Sequence, residues 1–357
     1  MTTVVYIVVA ILMFGILIAV HELGHFLAAK ACGVRVNEYA IGMGPAIWKK
    51  QKGETLYSFR AVPCGGYCAM EGEEESSDDP RALNNKGFWA KALIFVAGAF
   101  MNFLAGLIII LVLYSGAKAF YTPTIVGFAE NCPLERADAL QTGDTILSIN
   151  GERVYMYSDI NLLLSLDKDG VYDLTVRRAG GEKAVLKDLT MERREYKDQR
   201  GQPYTGLGIY FGAEEADFGD RIGYSFRNAA DFVRMVRLSL KMLFTGQAGL
   251  RDVSGPVGIV TTMTQVGQQS GSFRAAAQNI AYLAALIAVN LAVMNLLPLP
   301  ALDGGKLFFL VVDAITLALF GKKIPDKYEN YIHIAGLVLL LGFMLLITFS
   351  DVWKLFQ

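Results

Sequence analysis

Two of the chain's three histidines stand four residues apart, in the stretch His21-Glu22-Leu23-Gly24-His25. On a helix, positions i and i+4 share one face, so both imidazoles can reach a single metal ion. Zinc suits such a pair, since it takes imidazole nitrogen at about 2.0–2.1 Å in tetrahedral coordination. Glu22 is rotated off the ligand row yet remains beside it, where it can take the proton of a water attacking a carbonyl. The same motif arises by chance on ordinary helices. In this chain it closes an uncharged run from Val4 to Val20. Inside a membrane span each ionisable group costs roughly 2.5–3.5 kcal/mol on insertion scales and is functional by default. The stretch is therefore read as a metal site. His333, alone at the start of a later apolar run, is read as an interfacial or packing residue.

Two histidines and a water leave a catalytic zinc one protein ligand short, and a carboxylate must supply it. The segment Asn295-Leu296-Leu297-Pro298-Leu299-Pro300-Ala301-Leu302-Asp303-Gly304-Gly305 offers Asp303. Its prolines lack an N–H and break the helix, and its glycines allow close backbone approach. Irregular backbone at membrane depth is tolerated only where it is buried in protein or lines a wet cavity. Asp303 would serve equally well as the N-cap of a helix over 304–320, and the local pattern leaves cap and ligand open.

The surrounding elements must bring these groups together. Of 357 residues, 53% are hydrophobic and 19% charged, and the mean hydropathy is +0.37. Soluble domains carry about 25% charged residues, so this composition belongs to a membrane protein. A net charge of −1 gives no argument for a nucleic-acid partner. Four uncharged or nearly uncharged blocks are long enough to span, at 4–29 (apart from the motif), 92–117, 275–302 and 330–350. A fifth piece, 307–320, is interrupted by Asp313 and too short to cross alone. The first block opens without a basic residue and exceeds a signal-peptide core of about 7–15 residues, so it is read as a retained helix.

Basic residues in short loops set the orientation. The 30–91 segment holds nine, namely Lys30, Arg35, Lys49, Lys50, Lys52, Arg60, Arg81, Lys86 and Lys91, and the last loop holds Lys322, Lys323 and Lys327. Both are assigned to the cytoplasm, which puts the termini and the 118–274 insert outside; Lys354 opposes this weakly. His21 then falls late in a helix running inward, and Asp303 at the end of another. Their similar depth favours Asp303 as the ligand. Cys32, Cys64 and Cys68 fall on the cytoplasmic side, where disulfides are rare, and are read as small loop residues rather than a metal pair.

The middle of the chain is more polar. Strand-like pieces (TPTIVGF, DTILSING, VYDLTVRR, GLGIYFG) alternate with Gly/Asp turns over 118–215. A short helix is expected to end near Gly143, and Asn150-Gly151 is a strong hairpin dipeptide. The stretch ERADALQTGDTILSINGERV resembles a PDZ domain, with Gly206-Leu207-Gly208-Ile209 as its carboxylate-binding loop in circularly permuted order; an unrelated small mixed domain fits the pattern too. Residues 222–246 alternate apolar and basic positions as an amphipathic helix does, lying on the membrane or packed in the fold. Ser254-Gly255-Pro256-Val257-Gly258-Ile259 is read as a turn-rich piece without catalytic side chains.

Taken together, the motifs resemble the site-2 protease family of intramembrane zinc metalloproteases, in its bacterial branch with one PDZ domain. The shared features are His-Glu-x-x-His in the first span, the insert after the second, and Asn-x-x-Pro-x-Pro-x-Leu-Asp-Gly-Gly in the third. The resemblance implies one zinc ion on His21, His25 and Asp303, Glu22 as general base, and Asn295 holding the substrate backbone or oxyanion. It also implies that Gly65, Gly66 and Tyr67 form a membrane-associated hairpin offering an edge to substrate, and that Gly98 and Asn102 belong to a close-packing motif. Ala99 stands where proline is usual, and Cys64 and Cys68 where aliphatic residues are usual. Gly255 to Ile259 matches the segment before the third span.

The implied architecture is an α-helical membrane protein with four transmembrane helices. It comprises the first two spans with the hairpin (1–117), an extracytoplasmic α+β PDZ-like domain (118–215), an amphipathic helix and connector (216–274), and the last two spans (275–357). The implied partners are the lipid bilayer and transmembrane protein substrates, such as anti-sigma-factor fragments and signal-peptide remnants, at a bacterial inner membrane. The PDZ-like domain would gate by size or bind newly cut C-termini. On the residues alone, a non-catalytic PDZ receptor and a metal transporter remain as rival readings.

Overall fold

The computed structural model describes residues 3–73, 75–166, 169–197, 201–247, 249, 252–322 and 325–354, with the side chains of Thr3, Cys64 and Asp326 outside the description. Two compact units divide the chain: Met1–Leu113 with Phe232–Gln357, and Tyr114–Asp231.

In the first unit, α1 (Thr3–Ala31) is the central post. Its N-terminal half buries Ala10, Met13 and Leu17 against Met263 of α5 (Pro256–Gln269) and Ile287 and Ala288 of α6 (Phe273–Asn295). Its C-terminal end buries Ala28 and Ala29 with Val36 of β1 (Val36–Lys52), Cys68 and Met70 of β2 (Thr55–Met70), and Ile94 of α2 (Phe88–Tyr114). Among the described residues, four helices are long and apolar enough to cross a membrane: Val4–Ala31, Phe88–Tyr114, Phe273–Asn295 and Lys327–Lys354, the last within α8 (Asp326–Lys354). α7 (Asp303–Phe320) carries Asp303, Lys306 and Asp313, is not among the four, and ends at Gly321 in the left-handed region.

Strands β1 and β2 bend so that the first part of β1 pairs on both sides. Tyr39 registers with Cys68 and with Tyr57, and Ile41 with Gly66 and with Phe59. Segment 66–70 therefore pairs with β1 on one side only within this sheet. The Tyr39 hydroxyl donates to the Ala19 carbonyl at 2.9 Å, which ties the sheet to α1 beside the histidines.

Two corrections concern local structure. The turn-rich reading of 254–259 gives way to α5, a helix starting at Pro256. Proline at the first helical position loses no hydrogen bond. The Asp351 carboxylate of α8 accepts from the Gly255 and Gly258 amides at 2.8 and 2.9 Å, which supplies the N-terminal partners the segment itself lacks.

In the second unit, no helix ends near Gly143; residues 131–144 form turns around an isolated bridge between Glu135 and Leu140. The Arg178 guanidinium reaches the Ala139 carbonyl and buried Asp144, at 3.0 and 2.6 Å, so tertiary bonds replace a helical ladder there. The unit's main sheet runs β10 (Ile209–Glu215), β3 (Ala119–Phe128), β4 (Thr145–Ile149), β6 (Val171–Arg177), β7 (Lys183–Thr190), with β5 (Glu152–Arg153) on β4. Asn150 and Gly151 take φ of 48° and 78° between β4 and β5, the two-residue hairpin that their sequence favours. Helix α3 (Tyr157–Leu166) packs Tyr157 beside Phe211 of β10, ring centroids 5.0 Å apart. A small pair, β8 (Arg194–Lys197) and β9 (Pro203–Gly206), leads into β10, and α4 (Phe218–Phe244) runs through the boundary between the units.

Candidate active site

Helix α1 sets His21 and His25 one turn apart, both buried, with their Nε2 atoms 3.1 Å from each other. The interruption of helix between α6 and α7 brings in the third group. Asp303 Oδ2 lies 3.0 Å from His21 Nε2 and 3.2 Å from His25 Nε2. Asp303 opens α7, but the residue in the cap position is Leu302 and no side-chain cap bond forms. Among the described residues, these three make the one group of His, Cys, Asp and Glu spaced to hold a metal.

A backbone carbonyl sets the His25 tautomer. His25 Nδ1 sits 2.8 Å from the Ile94 carbonyl oxygen, which can only accept, so the proton is on Nδ1 and Nε2 keeps its lone pair. At His21 Nδ1 two amides converge, those of Asn102 and Asn295, each at 3.4 Å. The Asn102 Oδ1 is buried without a partner. Because amide oxygen and nitrogen are interchangeable in assignment, turning Asn102 gives His21 Nδ1–H an acceptor and leaves Nε2 as a ligand.

These donors fit zinc. Three lone-pair atoms face one another at 3.0–3.2 Å, a repulsive arrangement unless a cation lies among them. Tetrahedral zinc at about 2.0–2.1 Å from its ligands separates them by roughly 3.3 Å. Gly98 of α2 faces the cradle. A Cβ there would collide with both His25 Nε2 and His21 Nε2, so only glycine leaves the space open.

Glu22 lies on the sheet side of α1. A Cβ on Gly66 would sit 3.4 Å from Glu22 Cγ and 3.5 Å from Ile18, so the β2 backbone passes directly over the glutamate. Gly65 turns the strand with φ of 100°, in the left-handed region. Tyr67 is fixed by its neighbours: its hydroxyl receives a bond from Arg60, whose guanidinium also stacks on the ring at 5.0 Å. Burial, with the Glu38 carboxylate beside it, pushes the Tyr67 hydroxyl up to about 12. Tyr67 thus stays a neutral donor, and edge segment 66–70 is held against the site.

The predicted residues sort into two places. His21, Glu22, His25, Asn295, Asp303, Gly65, Gly66 and Tyr67 come together in the first unit. Gly206, Leu207, Gly208 and Ile209 belong to the second, where they join β9 to β10 with Gly208 at φ 72°. Three contributors were not legible as functional. Asn102 read only as a packing residue, though a buried amide in an apolar run was the available signal. Lys306 bonds Glu73 at 2.7 Å and so ties α7 to the turn after β2. Burial would lower the Lys306 ammonium, but Glu73 outweighs it and holds the group above its ordinary range. The third is His333, whose Nδ1 lies 3.0 Å from the Ala301 amide nitrogen.

Comparison with known proteins gives a consistent picture. The profile described as Peptidase family M50 matches residues 9–343. A putative zinc metalloprotease of Clostridium acetobutylicum is 36% identical over 346 residues, covering 97% of each chain. The zinc metalloprotease RasP of Oceanobacillus iheyensis is 28% identical over the full length of both chains. The regulator of sigma-W protease RasP of Bacillus subtilis is 27% identical, across 97% of this chain and 98% of its own.

Proposed function

The chain belongs to peptidase family M50, and on that premise we propose that it is a zinc metalloprotease that hydrolyses peptide bonds within transmembrane segments of single-span substrates. The observation that carries this reading is the triangle of His21 Nε2, His25 Nε2 and Asp303 Oδ2, with sides of 3.0–3.2 Å, whose histidines lie on a helix apolar enough to span and whose aspartate opens α7. These three residues would hold the ion, which when bound polarises a carbonyl and makes water acidic near neutral pH.

The chain's own groups do the remaining work. Glu22 takes the proton of the attacking water and delivers it to the leaving amine. Asn295, beside His21, donates its amide to the substrate carbonyl region or orients the imidazole. A substrate helix must unwind before its scissile carbonyl is accessible. Segment 66–70, which pairs with β1 on one side within its sheet and passes over Glu22 at Gly66, would take the unwound strand and satisfy its backbone groups.

The insert is assigned a PDZ-like role. Its support is the edge position of β10, Tyr157 of α3 beside Phe211, and the Gly206–Ile209 turn leading into that strand. An extended C-terminus would add to the β10 edge. The basic 30–91 segment supports a zinc centre near the cytoplasmic face of a bacterial inner membrane, with the termini and the insert outside. By likeness to the relative that regulates sigma-W, the substrates would include anti-sigma-factor fragments.

The test uses purified protein in liposomes with a single-span substrate. Glu22→Gln keeps shape and removes the base, so cleavage should fall by about 10²–10⁴ while bound zinc is unchanged. Asp303→Ala should lose zinc and activity together. Normal cleavage by Glu22→Gln would sink the mechanism, and a wild type without zinc would sink the reading.

A further inference from the structure

The break that carries Asp303 leaves one amide dependent on a distant side chain. Between α6 and α7, Leu296 and Leu297 donate back to Val293 and Met294, Leu299 to Leu297, and Leu302 to Leu299. Pro298 and Pro300 have no N–H. The Ala301 N–H alone turns outward, held by φ of 72°, a left-handed conformation that a non-glycine residue adopts only when its surroundings enforce it. Its partner is His333 Nδ1, 3.0 Å away on α8.

The contact is more than one bond. Gly336 lies one turn along the same face of α8, and a Cβ there would collide with Pro300. The His333 ring packs against Phe309 of α7 with centroids 5.3 Å apart. His333 therefore touches the irregular segment and the helix that follows it. Its Nδ1 acts as an acceptor, which puts the ring proton on Nε2, where Glu329 lies 3.7 Å away.

We propose that His333 is a positioning residue for the zinc centre: by accepting the Ala301 N–H, α8 fixes the turn that aims Asp303 at His21 and His25. The proposal rests on the metalloprotease reading but assigns a role to a residue outside the ligand set. An unanchored Ala301 would relax towards ordinary backbone, and Asp303, two residues on, would lose its aim. Groups that orient metal ligands from outside typically change metal affinity or activity by about 10–100-fold when removed.

The experiment measures zinc affinity of the full-length protein in detergent by competition with a chromophoric chelator, alongside cleavage. His333→Leu keeps bulk but removes the acceptor. His333→Asn places an amide oxygen near the Nδ1 position and can accept again. We expect zinc binding to weaken about 10–100-fold in His333→Leu and to recover largely in His333→Asn. Cobalt substitution adds a spectroscopic check, since an altered visible band in His333→Leu alone reports a displaced ligand. Wild-type affinity in His333→Leu would overturn the proposal, as would equal damage in both variants, which would reduce His333 to a space-filling role. A wild type that binds no zinc would overturn the metalloprotease reading and this inference with it.

Discussion

A cation site in apolar surroundings is made as much by what is left out as by its ligands. Gly98 contributes only an α-carbon, and the ligand nitrogens occupy the place a side chain would take. Gly98→Ala should therefore expel the metal by putting a methyl group against the Nε2 atoms of His21 and His25. Gly116→Ala, where nothing lies within reach of an added Cβ, should bind normally. Metal content of the two purified variants checks this, and a zinc-replete Gly98→Ala would show that the cradle is softer than drawn. The histidine spacing was legible because helical geometry alone brings His21 and His25 together. The local pattern left Asp303 between cap and ligand, and matching depth and the family resemblance favoured the ligand; its contact with the histidines spans nearly the whole chain. Asn102 could not be read, because an amide's role depends on which group it faces.

At the scale of elements, the spans were visible in composition, but the packing of their ends was not. Segment 254–259 looks like a loop from its Ser, Gly and Pro, yet it starts a helix whose N-terminal amides are satisfied by Asp351, buried at the far end of α8. Gly255 and Gly258 keep that approach open, as a Cβ on either would crowd the carboxylate. Asp351→Ala should strand these amides at a cost of about 1–3 kcal/mol for each one left buried and unpaired. Asp351→Asn, which keeps a neutral acceptor oxygen, should lose less. Thermal unfolding in detergent would rank the three proteins. Equal midpoints would mean that water takes over the cap. α5 packs on the half of α1 that leads into the histidines, so such a loss would reach the site through α1 even though Asp351 touches no ligand.

For the whole molecule, the insert is marked in the sequence by the change from apolar to polar composition at 118. The compact units divide at 231, inside α4, which begins at Phe218. The proposed sidedness rests on charge. The nine basic residues of 30–91 and the cluster Lys322, Lys323 and Lys327 occupy segments short enough for the positive-inside rule to apply. Basic residues of the long insert do not count, since segments beyond about 60 residues translocate largely regardless of charge. Alkaline phosphatase fused after residue 216 should then be active, and fused after residue 75 inactive, with the opposite pattern for a cytoplasmic reporter. The result bears on chemistry as well as topology. α6 ends at Asn295 beside His21, and both histidines lie in the C-terminal half of α1, so water and the cut substrate would exchange from the side towards which both helices run. The reverse fusion pattern would move the centre to the outer face and release its products there, which would exclude a role in sending a fragment into the cytoplasm.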